Sequence, residues 1–161
     1  MQAARHLRSV VSRIVAVVRP DAAPTADALA QEGCEVTVCD EASQGMGVSL
    51  AWGVRSAGPA AGYLVALADM PFIRPSSIAA VRDALLGGAA FAAPYFRARR
   101  GHPVGIAGRF GAELAALRGD EGAKGLLASH AGDLVKVPIG DPGVIRDIDV
   151  PADLAPRATW V

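Results

Sequence analysis

From Tyr63 to Ala68 the chain reads Tyr-Leu-Val-Ala-Leu-Ala and then stops at Asp69-Met70-Pro71. A short continuous apolar run of this kind is the mark of a strand buried on both faces, which needs helices on either side of its sheet. Ile14-Val-Ala-Val-Val18, closed by Pro20, is a second such run. Helical and extended patterns alternate around them. Ala3 to Ser12 places Leu7, Val10 and Val11 on one helical face, Thr25 to Gln31 is a short helix ended by Gly33, and Glu35 to Val38 is a strand. Gly45-Met46-Gly47 opens a helix that reaches about Arg55, and Ser76 to Leu86 is a helix stopped by Gly87-Gly88. Strands follow at Phe91–Tyr95, Val104–Ile106, Leu134–Val137 and Val144–Ile148. Short helices fall at Phe110–Leu117, at Gly122–Ser129 and from Pro151. The alternation predicts an α/β chain with a mostly parallel sheet and helices on both faces.

At 161 residues, with 52% hydrophobic and 20% charged residues, the chain suits one globular domain spanning 1–161. Sixteen basic and sixteen acidic side chains cancel, so no global field draws it to nucleic acid or to an anionic membrane. No apolar run approaches the roughly 18–20 residues that span a bilayer. Cys34 and Cys39 lack the spacing of a zinc or redox pair and read as reduced residues flanking a strand. A cytoplasmic protein is expected, and any anionic ligand must be held by a local cluster.

Four segments can supply such chemistry. Ligands of open α/β sheets collect beyond the carboxyl ends of the strands. Asp69 should therefore emerge at that edge, although a turn aspartate capping local amides would look the same. Asp147-Ile148-Asp149 would present two carboxylates on one face of a strand, a pattern that suits Mg²⁺ or simply a solvated edge. Gly45-Met46-Gly47-Val48-Ser49 is a glycine loop entering a helix, where backbone amides can approach a phosphate or ribose. Arg97, Arg99, Arg100 and His102 form a dense basic turn before Pro103, either donors for a pyrophosphate or a solvated hairpin tip.

Five motifs carry a resemblance. Gly45-Met46-Gly47-Val48-Ser49-Leu50, Leu67-Ala68-Asp69-Met70-Pro71, Arg100-Gly101-His102-Pro103, Gly119-Asp120-Glu121-Gly122-Ala123 and Asp147-Ile148-Asp149-Val150-Pro151-Ala152-Asp153-Leu154 stand in the order of the MobA-like NTP transferases. The chain resembles that family from about Leu7 to Leu154, and is most similar to its molybdenum cofactor cytidylyltransferase branch. The resemblance implies a Rossmann-like nucleotidyltransferase that moves CMP from CTP, or as the alternative GMP from GTP, to molybdopterin and releases pyrophosphate. Asp69 and Asp149 would be the catalytic, Mg²⁺-holding pair. Gly45, Met46, Gly47, Ser49, Leu67 and Ala68 would lie on the nucleotide side. Arg100, Gly101, His102, Pro103, Asp120, Gly122 and Ala123 would face the pterin. A molybdoenzyme and a second copy of the chain are possible partners.

The family opens with a strand and a glycine-rich triphosphate loop, whereas this sequence begins at the tail of the following helix. The expectation is therefore a sheet without its first strand, with Ile14–Val18 and Tyr63–Ala68 closing on each other or the slot being filled. These 161 residues are also expected to turn over poorly alone. Two smaller departures are Val150 where threonine is usual and Lys124 where arginine is common. The alternative function is a remnant that binds molybdopterin or nucleotide without catalysis, or matures a molybdoenzyme.

Overall fold

The computed structural model describes residues 1–148. Helices α1 (Gln2–Arg8), α2 (Ala23–Gln31), α3 (Met46–Ala57), α4 (Pro75–Leu86), α5 (Gly111–Ala115) and α6 (Lys124–Ser129) surround seven strands. The strands are β1 (Val15–Val18), β2 (Glu35–Val38), β3 (Gly62–Val65), β4 (Phe91–Phe96), β5 (Arg99–Arg100), β6 (Val104–Ala107) and β7 (Leu134–Pro138).

The layering is the expected Rossmann-like α/β arrangement, and the pairing within it is mixed. β1 and β2 form a parallel pair, Val15 opposite Glu35. β3, β6, β4 and β5 make a second sheet in that order, with β7 joined to β4. β4 pairs β7 in parallel, while β3–β6, β4–β6 and β4–β5 are antiparallel. The reason is chain length. Parallel neighbours need a crossover of roughly a dozen residues or more. Only Arg97 to Pro103 separates β4 from β6, so the chain must return on itself.

The central strand β4 is sealed on both faces: Phe91, Ala92 and Ala93 are fully buried. One face packs against Val54 of α3, Leu114 of α5 and Leu126 and Leu127 of α6. On the other face α4 lies close to β3, β4 and β6, with Ile78 and Val81 fully inside. Fully burying side chains the size of Phe91, Ile106 and Leu114 stabilises by about 1.5–3 kcal/mol each.

β1 does not close against β3. The two belong to separate sheets, and no strand among the described residues joins them, which corrects the expectation that they close on each other or that a further segment among the described residues fills the slot. α3 holds them apart. Its Val54 and Leu50 pack in the cluster that takes in Tyr63 and Val65 of β3, while Gly53 sits over Val17 of β1 and the Trp52 indole donates to Thr37 of β2 at 2.8 Å.

Two further expectations change. β3 ends at Val65, so Ala66 to Ala68 leave the sheet before Asp69. Val144 to Ile148 is not a strand. Asp141-Pro142-Gly143 starts a 3₁₀ turn over Pro142–Ile145, with the Asp141 carboxylate capping it by accepting from the Gly143 amide. Proline at the first helical position and a capping aspartate before it both favour a helical start over an extended chain. The helix expected from Pro151 lies outside the described residues.

Candidate nucleotide and metal site

Asp69 follows the end of β3 and is exposed, as are Ala68 and Asp147; Leu67 is half-buried. The two acidic motifs meet through the backbone: the Ile148 amide donates to the Asp69 carbonyl at 2.9 Å. Asp147 is thereby set beside Asp69. Asp149 lies outside the described residues. Among the described residues no three histidine, cysteine or carboxylate side chains gather as a ready-made metal cage. The donor set here, exposed carboxylates at a strand end, fits a hard cation that keeps water and substrate phosphates as its other ligands.

The Arg100-Gly101-His102-Pro103 turn borders the same place. The Gly101 amide donates to the Pro94 carbonyl at 2.8 Å and the His102 amide to the Val144 carbonyl at 2.8 Å. The His102 ring lies by the backbone of Val65, the last residue of β3. Its Nδ1 is buried without a partner among the described residues. Burial pushes the His102 pKa down, the Val65 backbone opposes that, Arg100 adds to the drop and Asp69 counters it. One imidazole therefore senses both the basic turn and the acidic strand end. Arg97, Arg99 and Arg100 are all exposed, and the Arg97 guanidinium rests 5.2 Å from the Phe96 ring centre. The His102–Pro103 peptide is cis.

The glycine loop and the Gly119–Ala123 motif, far apart in sequence, touch. The Gly47 amide donates to the Gly119 carbonyl at 2.7 Å. Gly45 has φ 128, and a Cβ there would stand 2.5 Å from both the Gly119 backbone and Asp120 Oδ1, so no other residue fits. Gly122 lies against the thioether of Met46, whose side chain is otherwise exposed. Ser49 is half-buried, with its amide bonded to the Gly45 carbonyl at 3.3 Å. One of the amides at the start of α3 is thus already committed to protein, which favours a sugar or base over a phosphate at this helix end. Leu50, Val65, Tyr95 and Ala123 pack against one core, joining this wall to the end of β3.

One residue near the site escaped the sequence reading. Asp141, 4% exposed, accepts from the Arg74 amide and the Ser77 hydroxyl at 2.8 Å each and from the Gly143 amide at 2.9 Å. The available signal was an aspartate directly before Pro-Gly, a helix-capping arrangement.

An α/β sheet with an exposed carboxylate past a strand end and a glycine loop entering a helix is an arrangement suited to holding a nucleotide. The family model of the MobA-like NTP transferase domain matches residues 1–134, and the chain belongs to that family. Among solved structures, Rv0371c from Mycobacterium tuberculosis H37Rv superposes with a TM-score of 0.78 at 22% identity, over 94% of this chain and 80% of that one. A complex of Rv0371C with manganese gives 0.76 at 23% identity, over 94% and 82%. A nucleotidyl transferase from Methanothermobacter thermautotroptrophicus (Mth528) gives 0.74 at 19% identity, over 95% and 76%. These likenesses are of fold. No curated protein matches the chain. No described helix is long and apolar enough to cross a membrane.

Proposed function

We propose that this chain serves molybdenum cofactor biosynthesis as a single-domain cytoplasmic nucleotidyltransferase that joins CMP from CTP to the phosphate of molybdopterin, with GTP the poorer donor. An oxygen of the pterin phosphate attacks the α-phosphorus of CTP. The bond from that phosphorus to the β-phosphate bridging oxygen breaks, and pyrophosphate leaves. No covalent enzyme intermediate is required, so the residues act by positioning and by neutralising charge.

The observation that carries this reading is the hydrogen bond from Ile148 to Asp69, which brings Asp147 and Ile148 alongside Asp69 beyond the end of β3. Asp69 and Asp149 are the residues that would hold Mg²⁺, which when bound would neutralise the phosphate oxygens. A relative of this fold has been crystallised with manganese, which supports a divalent ion. Gly45, Met46, Gly47 and Ser49, with Leu67 and Ala68, form the nucleoside wall. Arg100, Gly101 and Pro103, with the His102 backbone, and Asp120, Gly122 and Ala123 form the pterin wall. Arg100 supplies the cationic partner for the pterin phosphate. Handover to a molybdoenzyme and pairing of two copies complete the proposal.

Calorimetric titration with CTP, GTP and molybdopterin, each with and without Mg²⁺, tests it. The expected result is Mg²⁺-dependent binding of CTP, weaker binding of GTP and separate binding of molybdopterin. Binding of none of them, or of a nucleotide alone with no pterin, would overturn the assignment.

A further inference from the structure

The segments 69–74 and 141–148 run side by side in opposite directions. Ile148 donates to the Asp69 carbonyl at 2.9 Å, a Cβ on Gly143 would come within 2.2 Å of the Phe72 carbonyl, and Asp141 accepts from the Arg74 amide at 2.8 Å. The Arg146 guanidinium lies 4.1 Å from the Phe72 ring centre between those points. One end of this lacing carries Asp69 and Asp147. The other end is fixed by one buried carboxylate.

That carboxylate is fully engaged. Oδ2 accepts from the Arg74 amide and from the Ser77 hydroxyl, Oδ1 accepts from the Gly143 amide, and the Arg74 Nε stands 3.8 Å from Oδ1. α4 has no side-chain cap of its own at Arg74. Asp141 therefore caps two helical starts together, α4 and the 3₁₀ turn at Pro142, and the negative charge suits both N-termini. Both oxygens must accept. An asparagine would turn an amide N–H₂ toward one set of donors, leaving a buried mismatch.

We propose that Asp141 is a positioning residue for the candidate metal–nucleotide site: by pinning the far end of the laced segments it sets the register that places Asp147 and Ile148 beside Asp69. Asp141 is not itself a ligand, because its oxygens are occupied by protein donors. The inference rests on the reading of Asp69 as a metal–nucleotide carboxylate.

The test measures Mn²⁺ affinity by electron paramagnetic resonance, for Mn²⁺ alone and with CTP, at a temperature where every variant is folded. Asp141→Asn should weaken Mn²⁺ binding in the presence of CTP at least fivefold, and Ser77→Ala about two- to threefold. Val81→Ala, a buried α4 residue away from the laced segments, should lower Tm by a similar amount while leaving Mn²⁺ affinity at the wild-type value. That contrast separates positioning from mere stability. Should Asp141→Asn fail to fold, Ser77→Ala carries the test, since it removes one donor and keeps the carboxylate. Unchanged affinity in a folded Asp141→Asn or Ser77→Ala, or an equal loss in Val81→Ala, overturns the proposal. If the wild type binds no Mn²⁺ with CTP, or binds it undiminished in Asp69→Asn, the underlying reading falls and this one with it.

Discussion

Asp69 and Asp147 are both exposed carboxylates in adjacent segments, and the account assigns them different weights. Asp69 lies past the end of β3 on the segment that follows the strand, whereas Asp147 lies beside it on the laced segment. Asp69→Asn should reduce Mg²⁺-dependent CTP affinity at least tenfold, a loss of about 1.4 kcal/mol, and Asp147→Asn should reduce it less, both by calorimetry. His102 gives a second prediction at this scale. Burial lowers its pKa, so its imidazole NMR signals should titrate below the ordinary value of 6.5. The sign follows from the neutral ring being the native form. Stability is complete above pH 6.5 and declines as pH falls from there toward the lowered folded pKa, where the unfolded chain takes up the proton first. His102→Gln should flatten that stretch of a Tm–pH curve.

Between elements, the β4–β5 hairpin and the α1 ion pairs make separate demands. The hairpin turns through Arg97 and Ala98, both at positive φ, 47 and 66. A two-residue turn of that hand favours Asn-Gly, and L-residues with a Cβ are strained in it. Ala98→Gly should therefore raise stability by roughly 0.4–1 kcal/mol in urea denaturation, net of the flexibility glycine adds to the unfolded chain. Away from the site, Arg5 grips Glu32 at 2.6 Å and Arg13 grips Glu35 at 2.7 Å, tying α1 to the end of α2 and the loop after α1 to β2. Hydrogen bonds from Arg5 and Arg13 hold the two glutamates below the ordinary carboxylate range. Their contribution is present above about pH 4.5 and is lost as pH falls through the lowered values. Glu35→Gln should shrink the acid-side fall in Tm only slightly, because exposed pairs are screened.

Across the whole molecule, the legible parts were those set by local pattern. Of the apolar runs Ile14–Val18 and Tyr63–Ala68, Val15–Val18 and the first half of the second run became strands, and Asp69 emerged exposed beyond the latter. What the residues alone did not disclose depends on distant partners. Asp141 meets Arg74 and Ser77 across the fold, and that cap, together with Pro142, turned an apolar stretch that looked extended into a 3₁₀ turn. The contact of Gly47 with Gly119 likewise needs α3 and the Gly119 loop packed on one core, which no spacing encodes. The mixed sheet direction follows from a short return between β4 and β6 that composition does not reveal.

The central claim is that the end of β3, with the glycine loop opposite it, is where a metal-bound nucleotide sits. Paramagnetic broadening of backbone amide signals by Mn²⁺ in the presence of CTP locates that site without requiring turnover. The account predicts selective loss of the signals of Asp69, His102 and Ile148, weaker broadening at Met46 and Gly47, and recovery of all of them in Asp69→Asn. Broadening centred elsewhere on the molecule, or unchanged by Asp69→Asn, would contradict it.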